Sequence, residues 1–192
     1  MRRIGLIILA GSLLCGVALY VTTSWVYPYS PISIHPSFTY EPDQVVVKEY
    51  AEDVTAFKDK FEEPLTTSAS EDLTAYRMQY VLKMYEQSWL LNTEGRNMTS
   101  EELDEILQYV KDARKVIIEL AFQEDYSRND RSNLRVLLEH NLTLEEEIQE
   151  IQQSVFHSQQ TLDRQMGNLH MSFIQNFNFF TTFYERYINE DA

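Results

Sequence analysis

The apolar residues Leu144, Ile148, Ile151, Val155, Leu162, Met166, Leu169, Phe173, Phe177, Phe180, Tyr184 and Tyr187 recur every three or four positions, with polar Ser158 in the one gap. Such spacing is the seam of an α-helix that packs against other helices. Read as continuous from Thr143 to Glu190, it predicts one helix about 70 Å long at ~1.5 Å per residue. Between Ile151 and Tyr184 only Asp163 and Arg164 are charged, too few for a solvated helix. The helix is therefore expected at the centre of a bundle or under a partner.

Glycine and proline usage extends this reading to the whole chain. No proline follows Pro64, and beyond Gly16 the only glycines are Gly95 and Gly167. A β-rich fold needs more turn formers, so the class expected is all-α. At 192 residues there is room for one ordinary domain and a targeting segment. All 30 acidic residues lie at Glu41 or later, as do all the basic ones except Arg2 and Arg3. So acidic a domain is a poor partner for nucleic acid or anionic lipid. The one cysteine, Cys15, lies in the apolar N-terminal segment, so the domain is expected to hold without disulfides.

Arg2 and Arg3 precede an uncharged run from Ile4 to Val26, long enough at ~1.5 Å per residue to cross a ~30 Å hydrocarbon layer. The organisation expected is a cytoplasmic N-terminus at 1–3, a single-pass signal-anchor at 4–27, a proline-rich extended stalk at 28–42 and an acidic helical bundle at 43–192. Orientation follows from Arg2 and Arg3, which place the N-terminus inside and the bulk of the chain outside. A cleaved signal peptide is the rival, because Gly16-Val17-Ala18 has the small-x-small pattern, although apolar character continues to Val26. Leu14 before Cys15 departs from the small residue that a bacterial lipoprotein carries there.

Within the bundle about four helices are expected. The first starts at Asp43, with Val47, Tyr50, Val54, Phe57 and Phe61 on one face, and ends at Pro64. Ser68-Ala69-Ser70-Glu71 reads as a capping box opening a second, to about Asn92, and Thr99-Ser100-Glu101-Glu102 as a box opening a third with Leu103, Ile106, Val110, Ala113, Ile117 and Leu120 on its seam. A break is expected at Ser127 to Ser132, a hairpin turn at Asn141-Leu142, and a third capping box at Thr143-Leu144-Glu145-Glu146. Asn97-Met98-Thr99 and Asn141-Leu142-Thr143 fit the N-glycosylation pattern but read first as helix starts.

Catalytic constellations are not recognisable. None of His35, His140, His157 and His170 has an acid three residues before it, against a paired-metal bundle site. His157 and His170 point to separate faces, and His140 reads as a cap near a helix C-terminus. No metal, no cofactor and no catalytic residue is expected. The reading is a non-catalytic, membrane-anchored, extracytoplasmic bundle acting by protein contact or self-association; the alternative is a sensor-type bundle with a pocket lined by the Tyr and Trp of the second helix, working through a membrane partner. Phe179 and Phe183, at one edge of a wide aromatic arc on the last helix, are the candidate partner-binding residues unless the first or second helix covers them.

Overall fold

The computed structural model describes residues 2–33, 36–67, 73–123 and 126–190, with side chains from Ala10 onward except at 62–67, 123 and 189–190. Its described residues are mostly helical: α1 Arg2–Val26, α2 Gln44–Thr67, α3 Leu73–Leu82, α4 Ser88–Leu91, α5 Ser100–Gln123, α6 Arg128–Gln152 and α7 Gln159–Glu190, with strands β1 Ser37–Tyr40 and β2 Arg96–Thr99. The all-α expectation holds at that level.

The single long helix from Thr143 to Glu190 does not form. The chain turns back at 153–158, so α6 and α7 are an antiparallel pair, joined by Ser172 Oγ donating to Glu147 (3.1 Å) and Gln165 Nε2 donating to Glu150 (3.3 Å). Local polar groups account for the break. Ser154 Oγ donates back to the Glu150 carbonyl (2.6 Å), and Ser158 Oγ accepts from the Thr161 N–H (3.3 Å), which makes Ser158 the cap of α7. The polar gap in the seam is thus a helix start.

The turn expected at Asn141-Leu142 and the box at Thr143 lie inside α6. Asn141 is fully buried, and Thr143 Oγ1 donates to the Glu139 carbonyl (3.2 Å) instead of capping. The true start of α6 is Ser127, whose Oγ accepts from the Asp130 N–H (3.2 Å). α5 runs antiparallel to α6, held by Gln152 to Asp104 (2.7 Å) and by an Arg114–Glu145 ion pair (3.0 Å). At Thr99–Glu102 the capping box is present: the Thr99 N–H donates to Glu102 (3.3 Å) and the Glu102 N–H to Thr99 Oγ1 (3.2 Å).

α2 begins where Asp43 Oδ1 accepts from the Val45 and Val46 N–H groups (2.9 and 3.3 Å) and continues through Pro64 to Thr67. It lies along α7. Tyr50, Phe57 and Phe61 meet Phe177, Phe180 and Tyr184 at ring separations of 4.6–5.7 Å, mostly edge to face. The second helix is two, α3 and the short α4, and its expected box at Ser68–Glu71 lies outside the described residues.

The segment 28–42 is not a free stalk. Ser37–Tyr40 pairs antiparallel with Arg96–Thr99, Ser37 opposite Thr99 and Tyr40 opposite Arg96. Alternation puts Phe38 and Tyr40 into the core, at 2% and 4% exposure. Further back, Tyr29 lies edge-on to Phe38 and its hydroxyl donates to the Met98 carbonyl (3.3 Å).

The span expected over 4–27 corresponds to α1, with Tyr27 just beyond its end. Among the described residues, however, no helix is long and apolar enough to cross a membrane.

Candidate functional site

Phe179 and Phe183 are separated by their neighbours. Phe183 is fully buried under Tyr126 and Tyr187, at ring separations of 5.9 and 6.3 Å. Phe179 is half-buried and stacked on His140 of α6, 4.4 Å between centroids. The ring neighbours are thus Tyr126 before α6 and Tyr187 of α7 for Phe183, and His140 of α6 for Phe179. Replacing Phe183 by Asp is expected to lower the unfolding free energy by on the order of 3–5 kcal/mol, and Phe179→Asp by about 1 kcal/mol. Urea titration of the two variants checks this; equal losses would mean that both rings sit in the same environment.

A groove of about 300 Å³ lies between the α3–α4 turn, β2 and α5, and of the aromatic residues expected to line a pocket on the second helix only Trp89 borders it. Trp89, Met98 and Ile106 line it with Lys83, Glu86, Arg96, Glu102, Glu105 and Tyr109. Its charges are largely paired. Arg96 Nε and Nη2 both lie 2.8 Å from Glu102 and Nη1 donates to Ser88, while Glu86 holds Lys58 at 2.7 Å. The Trp89 indole N–H donates to Gln87 (3.2 Å), which fixes the ring as a wall. Tyr85 of the same segment is fully buried, whereas Tyr76 and Tyr80 lie on the open face of α3, 50% and 45% exposed.

His170 forms a third feature. It is buried among Tyr40, Tyr50 and Trp89, with Nδ1 2.9 Å from the Tyr40 hydroxyl. Burial pushes the Tyr40 hydroxyl up from its ordinary range, and the charges of Asp163 and Asp43 add to this, so Tyr40 keeps its proton; the direction of its bond to Nδ1 follows the histidine tautomer. Burial also lowers His170 to about 4, with the Leu90 backbone as a smaller opposing influence. At neutral pH the ring is uncharged. The adjoining cavity, about 460 Å³, is lined by Glu41, Asp43, Asp163 and Arg164. His157 lies far off in the α6–α7 turn against Gln165 (3.0 Å), and His140 sits in mid-helix rather than at a C-terminal cap. Among the described residues no cluster of three His, Cys, Asp or Glu could hold a metal.

The last feature is the end of the bundle where α1 arrives. Ser24 is buried there, and Val21 and Trp25 line a cavity with Phe38, Asn97 and Gln159. Sequence reasoning missed this junction because it read residues 28–42 as a spacer. No protein-family model, curated protein or solved structure matches the chain.

Proposed function

We propose that this chain is a non-catalytic accessory protein, attached to a membrane by its N-terminal helix with the N-terminus cytoplasmic and the bundle on the opposite side, and that it acts through protein contact. The observation that carries the reading is α1. Leu13, Leu14, Val17 and Leu19 are 71%, 74%, 56% and 68% exposed, and they belong to the uncharged run from Ile4 to Val26. Apolar side chains on so much of a helix surface require lipid or protein around them. Protein contact is supported by Leu73, Tyr76 and Tyr80, an exposed stripe on α3 rich in the residue type that dominates interface hot spots.

The chain is expected to stay with membranes in alkaline carbonate. With Cys15→Ser and Ser100→Cys, it should label with a membrane-impermeant thiol reagent on intact cells. Release by carbonate, or labelling only after lysis, would sink the reading.

A second reading, a ligand-binding sensor that works through a membrane partner, is favoured by the groove beside Trp89, whose volume is at the low end of the ~300–1,000 Å³ of ligand sites. Its mark is a small molecule that raises the melting temperature of the whole chain.

A further inference from the structure

We propose that the bundle rests directly on the bilayer, with Phe156, at the tip of the α6–α7 turn, seated among the lipid headgroups. The inference rests on the reading of α1 as the anchor and adds the surface that meets the lipid. Four observations lead to it.

First, α1 is one unbroken helix from Arg2 to Val26. A span starting at Ile4 and needing ~20 residues ends near Thr23. Second, Val21 and Trp25 line one cavity with Phe38, Asn97 and Gln159, so the domain flanks this helix there. The bundle therefore stands beside the helix at the level where the span ends, and is not held clear of the surface. Third, Gln159 opens α7 and lies only three residues after Phe156, so the turn is on the same end of the bundle as the helix it meets. Fourth, Phe156 is 83% exposed while Ser154 beside it is buried. An aromatic ring held outward on an anchored turn suits the membrane interface, where aromatic side chains collect.

The charge around this end decides which lipid fits. Glu41 and Asp163 line the cavity next to Trp25, so anionic headgroups are repelled and a zwitterionic surface is the better match. Phosphatidylcholine is the probe.

The full chain carrying Trp25→Phe and Phe156→Trp is reconstituted in phosphatidylcholine vesicles, beside a parent carrying Trp25→Phe alone. Bromine is placed high on the acyl chains, and flotation reports retention. The expected result is flotation of both chains, and an emission from position 156 that shifts to the blue and loses about half its intensity to the bromine, the depth of an interfacial side chain. Flotation with position 156 unquenched would overturn the inference and leave the anchor standing. Failure of both chains to float would remove the anchor reading and the inference with it.

Discussion

A chain shortened to begin at residue 43 is expected to unfold in urea with several kcal/mol less stability than one shortened to begin at residue 28. The difference is β1 and the residues that lead into it. Phe38 and Tyr40 are core residues, and losing a buried large aromatic costs on the order of 3–5 kcal/mol before relaxation. Part of that gain is spent on ordering the segment, so the net loss is expected to be on the order of 3 kcal/mol or more. The damage spreads beyond the two rings. β2 loses its ladder, Met98 loses its cover, and His170 loses the hydroxyl at its Nδ1. Both fragments lack α1, so detergent does not enter the comparison. Equal midpoints and slopes would mean that the strand contributes nothing to the fold.

The second large effect is on acid stability. His170 sits at about 4 in the folded chain against 6.5 for an ordinary histidine. Between those values the unfolded chain binds a proton that the folded chain refuses, so stability falls as pH falls. The contribution is complete above pH ~6.5 and lost progressively towards pH ~4, at no more than 1.36 kcal/mol per unit and about 3 kcal/mol in all. His170→Asn keeps a hydrogen-bonding group for Tyr40 and has nothing to titrate. Its stability should lack this part of the acid slope when both chains, begun at residue 28, are unfolded in urea from pH 7.5 to 4. Parallel profiles would show that His170 is not the group responsible.

The helix seams were legible because burial on one face imposes a period that neighbours do not alter. Val47, Tyr50, Val54, Phe57 and Phe61 are all buried, as are Leu103, Ile106, Val110, Ala113, Ile117 and Leu120. A period, however, does not mark a turn. Ile151, Val155 and Leu162 keep helical phase across 153–158, and only Ser158 betrays the break by the hydrogen bond it offers to Thr161. The neighbour of Phe179 also depends on that one turn. With a hairpin at Asn141-Leu142, His140 would end its helix and lie remote from position 179; with the turn at 153–158, antiparallel pairing sets the two side by side.

The strands were illegible for another reason. Each has four residues, and β1 follows a run of prolines that reads as coil. Its partner lies on the far side of α2, α3 and α4, beyond the reach of any local pattern. The groove at Trp89 was half visible, since its aromatic wall is in the second helix but its other side comes from β2 and α5.

The pairing of β1 also sets a schedule for folding during synthesis. Tyr29 bonds to a residue 69 positions later and Tyr40 to one 130 positions later. The α5–α6 and α6–α7 hairpins close over much shorter loops and form fast once their residues exist, whereas the place for Tyr40 is incomplete until His170 has left the ribosome. Residues made among the first are therefore among the last to settle. Until then Phe38 and Tyr40 are exposed apolar side chains just beyond the N-terminal helix, so the interval between their synthesis and that of His170 is when this chain is most open to a chaperone, a protease or a wrong partner.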